Sequence, residues 1–96
     1  MIEIRLKTIL GIVNLVGGLK EQKVYIEQDA RVFDLLEILV LKYGHEFKQK
    51  IFDDSMEINR GIAMFINGRN IYALDGLKTK LCLGDEFLIF PPVGGG

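Results

Sequence analysis

The sequence is poor in the residues that carry most chemistry: in 96 positions it has no tryptophan, one cysteine, one histidine and two prolines. A lone thiol, Cys82, excludes an internal disulfide framework and fits a reducing compartment. With His45 the only imidazole, a metal site would need mostly carboxylates, and none of these has clustered ligand spacing. Neither charge sign is in excess, since 12 basic and 13 acidic residues leave a net of −1. The basic stripe that neutralises nucleic-acid phosphates is therefore missing. The longest apolar runs, around Ile9–Val16 and Val32–Leu41, fall short of the ~20 residues that span a bilayer. Met1–Lys7 alternates charge with aliphatics, unlike the apolar core of a secretory signal. Phosphate-loop and dinucleotide fingerprints are also absent. The expectation is a cytoplasmic protein that binds neither nucleic acid nor membrane.

What is present is apolar surface and glycine: 49% of residues are hydrophobic and 11 are glycine. That is enough to offset the ordering entropy of one core, with no room for a second, so one domain is expected. Ile2, Ile4 and Leu6 alternate with Glu3, Arg5 and Lys7, the period of a strand with one buried face. Val24 and Ile26 alternate with Lys23, Tyr25 and Glu27 in the same way. Thr8–Leu19 between them is either a wide hairpin connection or a short helix. Val32, Leu35, Leu36, Leu39 and Tyr43 form one helical stripe ahead of Gly44, a left-handed cap candidate. The helix start at Arg31 lacks a good capping side chain. Glu46–Phe52 adds a helical turn, and Asp53–Arg60 reads as a polar loop.

A third strand, Ile62–Ile66, meets Asn67-Gly68, the pair that a type I′ hairpin turn favours. Its return arm is expected at Asn70–Tyr72, followed by an irregular stretch anchored by Leu74, Leu77 and Leu81. Gly84-Asp85 turns into a last strand, Glu86–Phe90, which Pro91-Pro92 ends because proline cannot donate to a ladder. Two strands, a helix, then further strands make an α+β layout, a mixed four- or five-stranded sheet with one main helix across one face. That last strand is apolar on both faces, so one face meets the helix and the other meets either the rest of the chain or a partner.

No self-contained active site is evident. His45 reads as a loop or helix-cap residue and Cys82 as a small buried filler. The pairs Asp53-Asp54 and Asp85-Glu86 read as turn and solvent residues rather than acid–base pairs. The chain end is different. Pro91-Pro92-Val93-Gly94-Gly95-Gly96 directly follows the final strand. The prolines stiffen the exit in an extended form, and the glycines remove every side chain from the tip. Val93–Gly96 extended spans about 13 Å, enough to enter a narrow channel in another protein. A terminal carboxylate with a reference pKa of roughly 3.3–3.7 is ionised at neutral pH. It acts as a nucleophile on an activated phosphate where a partner supplies ATP and Mg²⁺. The bland alternative is a frayed terminus on a plain interaction domain.

The series Ile66-Asn67-Gly68-Arg69, Leu74-Asp75-Gly76-Leu77-Lys78-Thr79-Lys80-Leu81, Gly84-Asp85-Glu86 and Ile89 to Gly96 resembles the MoaD/ThiS family of ubiquitin-like sulfur carriers. The match is dense over 62–96, fair over 22–44 and thin over 8–20. The resemblance implies a β-grasp domain over residues 1–91 and an extended tail over 92–96. It implies that Gly96 is the carboxylate adenylated and then converted to a thiocarboxylate, with Gly94 and Gly95 threading the tip. Phe90, Pro91, Pro92 and Val93 would contact partners. The implied partners are an E1-like adenylating enzyme that uses ATP and Mg²⁺, a sulfur donor such as a persulfide protein, and the large subunit of molybdopterin synthase; no cofactor is bound by the chain itself. The Phe-Pro-Pro-Val exit resembles the molybdopterin branch, the small subunit of a sulfur-transferring synthase, more than the thiazole-forming carriers for thiamine. The longer Glu46–Gly61 segment resembles archaeal-type members, some of which are protein modifiers joined through the C-terminal glycine. Gly94 departs from the alanine common in the family, and Ile9–Leu19 is more apolar than usual, as core or as a docking surface.

Overall fold

The computed structural model describes residues 1–91. The alternation at the N-terminus forms β1 (Ile2–Thr8), which pairs antiparallel with β2 (Glu21–Ile26) from Ile2↔Ile26 to Lys7↔Glu21. Their connection contains a 3-10 helix over Leu10–Leu15. It divides the apolar segment: Ile12 and Val16 are buried in the core, whereas Leu10 and Leu19 remain exposed. Part of this stretch is therefore core, and the connection between the strands holds a short helix.

The main helix α1 (Val32–Tyr43) buries Val32, Leu35, Leu36 and Leu39 against the sheet. Its start is capped from inside the helix, because the Asp34 carboxylate accepts the Arg31 N–H at 2.8 Å, the returning half of a capping box. Gly44 ends α1 with φ +88. It leads straight into α2 (His45–Ile51), whose Phe47 and Ile51 complete the core. His45 is thus the first residue of a helix, not a loop or C-terminal cap residue. The polar stretch after α2 is more structured than its composition suggests. Phe52 bridges Ile58, and the Asn59 amide donates to the carbonyls of Gln49 and Lys50, both at 2.9 Å, closing orphan acceptors at the α2 terminus.

Strands β3 (Ala63–Ile66), β4 (Arg69–Asn70) and β5 (Glu86–Phe90) complete one five-stranded sheet ordered β2-β1-β5-β3-β4. The β3–β4 turn has Asn67 and Gly68 at φ +50 and +83, as a type I′ hairpin requires. The return arm is shorter than expected. It leaves the sheet after Asn70, whose side chain accepts the Tyr72 N–H and opens a 3-10 turn at Ile71–Ala73, with Ile71 buried. β5 runs parallel to β1 (Thr8↔Ile89) and antiparallel to β3 (Ala63↔Phe90). The result is the β-grasp arrangement: a mixed sheet wrapped on one face of a helix, with the last strand at its centre.

Cys82 is exposed, not a buried filler. Leu81 occupies the core position beside it. The Cys82 N–H binds the Asp85 carboxylate at 2.8 Å at the tight turn into β5, and this geometry directs the adjacent side chain to the surface.

Candidate functional site

The expected working end lies partly outside the described residues: Pro92, Val93, Gly94, Gly95 and Gly96 are beyond them. The described residues give the platform from which that sequence departs. Strand alternation sends Phe87 and Ile89 into the core and leaves Glu86, Leu88 and Phe90 half-buried on the sheet face away from α1. On the same face β3 contributes Ala63 and Phe65, paired with Phe90 and Leu88 respectively. The Phe65 and Phe90 rings pack edge to face with centroids 6.5 Å apart. Pro91, the next residue, is buried. An apolar patch therefore runs up β5 and β3 to the point where residue 92 begins.

The β1–β2 half of that face is charged. Lys7 Nζ lies 2.9 Å from Glu86 Oε1, and Arg5 bridges Glu86 at 3.7 Å and Glu21 at 3.8 Å. Lys23 approaches Glu3 at 3.9 Å. The hydrogen bond from Lys7, reinforced by the Lys7 and Arg5 charges, holds the Glu86 carboxyl below its ordinary value. These pairs are solvent-accessible and contribute little to stability. Their effect on the face is to confine its apolar part to β5 and β3.

A polar lock fixes where β5 begins. The Asn67 side chain donates to Asp85 Oδ1 and accepts the Glu86 N–H, both at 2.9 Å. The Asn67 N–H also donates to the Glu86 carbonyl at 2.9 Å. The Asn-Gly and Gly-Asp-Glu sequence landmarks thus meet in space, and together they set the register of the strand that ends at the exit. Their work is structural: Asp85 is the turn residue expected, whereas Glu86 is the first residue of β5 and pairs with Lys7.

Of the site residues expected from sequence, Phe90 and Pro91 lie at the exit. Sequence reasoning expected the second apolar face of the last strand, which carries Leu88 and Phe90, but missed Phe65, which shares the patch. The signal for Phe65 was a strand, Ile62–Ile66, with apolar residues at successive positions and so on both faces. On the α1 side, a groove lined by Glu27, Asp29, Asp34, Glu37, Ile38 and Leu41 carries carboxylates but no nucleophile. Among the described residues no three His, Cys, Asp or Glu side chains converge as metal ligands, and no helix is long and apolar enough to cross a membrane.

The comparisons with known proteins agree with this geometry. A family model described as the ThiS family matches residues 9–96. Small archaeal modifier protein 3 of Haloferax volcanii is 35% identical over 71 residues, 74% of this chain and 75% of that protein. The solution structure of small archaeal modifier protein 1 from Methanosarcina acetivorans is similar with a TM-score of 0.81 at 35% identity, covering 100% of this chain and 98% of that one. A Pyrococcus furiosus structure provisionally assigned as molybdopterin converting factor subunit 1 is similar with a TM-score of 0.76 at 25% identity, covering 97% and 100% of the two chains.

Proposed function

This chain belongs to the ThiS family of ubiquitin-like sulfur carriers, and on that premise we propose that Gly96 is its working residue, carrying sulfur as a thiocarboxylate for molybdopterin synthesis. The observation that carries the reading is the placement of β5: the central strand, with an apolar flank of Phe65, Leu88 and Phe90, ends at Phe90, and Pro91 and five further residues follow. A partner can bind the patch and reach the tip in one engagement.

The chemistry asks little of the carrier. A carboxylate oxygen of Gly96 attacks the α-phosphorus of ATP held with Mg²⁺ by an E1-like enzyme. Pyrophosphate leaves, and the tail becomes an acyl-adenylate. A persulfide sulfur of a donor protein then attacks the carbonyl carbon, AMP departs with the electrons of the C–O bond, and a second thiol of the partner cleaves the resulting acyl disulfide, forming a disulfide with the donor and releasing the thiocarboxylate. Gly94 and Gly95 keep the approach free of side chains, and the two prolines restrict the backbone that precedes them. ATP, Mg²⁺ and the general acid–base groups belong to the partner, which is why this chain needs none of its own. The large subunit of molybdopterin synthase is the proposed recipient, and the cytoplasm the proposed compartment. The domain limits 1–91 and 92–96 belong to the same proposal. The likeness to a provisionally assigned molybdopterin converting factor subunit supports the destination.

A second reading is favoured by the likeness to small archaeal modifier proteins: the activated Gly96 is passed to lysine amines of other proteins. Both readings share the adenylation step and part at the acceptor. Incubation of the full chain with a matched activating enzyme, ATP, Mg²⁺ and a sulfur source should replace one oxygen by sulfur in the intact mass. No shift, with the enzyme competent on its own carrier, refutes sulfur carriage. Isopeptide remnants of the tail on many cellular proteins would assign the modifier role, and unaltered phenotypes after deletion of Gly95-Gly96 would leave only an interaction domain.

A further inference from the structure

Two grooves of opposite charge lie side by side at the start of α1, with Asp34 as their shared wall. The first is the groove lined by Glu27, Asp29, Asp34, Glu37, Ile38 and Leu41. Its Glu27, Asp29 and Glu37 carboxylates enter no ion pair among the described residues. The second is lined by Arg31, Phe33, Asp34, Leu77 and Lys78. Lys80 adds to its positive charge, because it stands opposite Arg31 in an isolated antiparallel bridge, where facing residues direct their side chains to the same side. The Arg31 guanidinium donates to the Lys78 carbonyl, and none of these three cations is paired with a carboxylate among the described residues. Like charges directly opposite each other across a strand pair are destabilising, so Arg31 and Lys80 do not serve the isolated chain. Leu41, in the acidic groove, is 87% exposed, more than any other large hydrophobic side chain among the described residues. Apolar side chains rimmed by unpaired charge have the composition of a contact surface.

The order of the charges along α1 identifies what covers it. Arg31 precedes Asp34 by three residues and Glu37 follows it by three, so each stands about 4.5 Å from it along the helix axis and on the same side. A two-fold axis crossing α1 at Asp34 lays the helices of two copies antiparallel. Glu37 of each copy then faces Arg31 of the other, with Lys80 alongside, and both clusters are neutralised at once. Asp34 falls near the axis, where its carboxylate is already engaged by the Arg31 N–H at 2.8 Å and by the positive end of the helix. Ile38 and Leu41, on the same stripe of α1, supply the apolar contact. A patch that is complementary to itself in this way is what an isologous dimer requires.

We propose that this face of α1 is a self-association surface. A second copy of the chain docks antiparallel across Asp34, pairs the Glu37 side of each copy with the Arg31–Lys80 side of the other, and covers Leu41. The helix packs on one face of the sheet and the Phe65–Leu88–Phe90 patch occupies the other, so the dimer leaves the outer face of the last strand open in both copies. The proposal does not depend on the sulfur-carrier reading.

The test is sedimentation equilibrium of the full chain from about 10 μM to about 1 mM, the range of small, transient interfaces. The wild-type chain should fit a monomer–dimer equilibrium. Raising salt from about 0.1 M to about 1 M shortens the Debye length from about 10 to about 3 Å and should weaken it. Glu37→Lys and Lys80→Glu change exposed side chains, and each turns two attractions per dimer into two repulsions. Each alone should weaken dimerisation roughly 10- to 30-fold. An equimolar mixture sets the two reversed charges opposite each other and should associate at least about fivefold more tightly than either variant alone. Leu41→Ser should weaken dimerisation about 3- to 10-fold, with the circular dichroism of the dilute protein unchanged. A wild-type chain that is monomeric throughout the range overturns the proposal. So does a dimer that salt and both charge reversals leave intact, or a mixture no tighter than its components.

Discussion

Replacing Asn67 by alanine tests whether the lock at the start of β5 is as important as its geometry implies. The substitution removes a bond to the Asp85 carboxylate and one from the Glu86 N–H, both 2.9 Å. Bonds to charged groups contribute about 1.5–3 kcal/mol and neutral ones about 0.5–1.5. Both lie near solvent, so the low ends apply. Alanine must also adopt the φ of +50 that Asn67 holds, which adds about 1–2 kcal/mol. The expected loss is about 3–4 kcal/mol, a large share of the roughly 5–15 kcal/mol typical of a whole domain. Urea denaturation of the full chain, followed by far-ultraviolet circular dichroism, should show a lower midpoint at an unchanged slope. Asn67→Gly accepts the turn backbone but still loses both bonds, so it should be about 1 kcal/mol more stable than Asn67→Ala. A loss below about 0.5 kcal/mol in Asn67→Ala would refute the lock, and equal losses in the two variants would refute the backbone share.

Three further outcomes are expected. Glu86 has its carboxyl pKa lowered by Lys7, so its contribution is present above the ordinary value of 4.5 and is lost as pH falls through the folded value; Glu86→Gln should lower stability slightly at neutral pH, leave it unchanged in acid where Glu86 is protonated, and so flatten the acid limb of a stability–pH curve. Leu88→Ser and Phe65→Ser should lower the melting temperature less than a truncation in the core does, because both side chains are only partly buried, while weakening capture of the activating enzyme in a binding titration. Leu39→Ala, at a fully buried position facing the sheet, should cost about 2–5 kcal/mol by denaturant titration; a cost under 1 kcal/mol would show that the α1–sheet core can collapse around the cavity.

The sequence by itself determined the elements whose signals are local. Alternation in Ile2–Lys7 and the stripe from Val32 to Tyr43 depend on neighbours two to four positions away, so strand and helix could be read directly. Asn67-Gly68 declared its turn because both residues must take positive φ. The Pro91-to-Gly96 ending, with the landmarks before it, identified the family resemblance and with it the β-grasp fold. The structure decided local details that pattern alone left open, and everything that depends on residues far apart in sequence. Cys82 was misjudged because its exposure is set by Leu81 and by a bond to Asp85. His45 became a helix start because α1 and α2 share Gly44 as their boundary. The cap of α1 came from Asp34, inside the helix and not before it. The patch of Phe65, Leu88 and Phe90 exists only because β3 lies beside β5. Local sequence sets which way each side chain alternates, whereas strand order sets which of those side chains share a surface, and that order is fixed by packing the whole sheet on one helix.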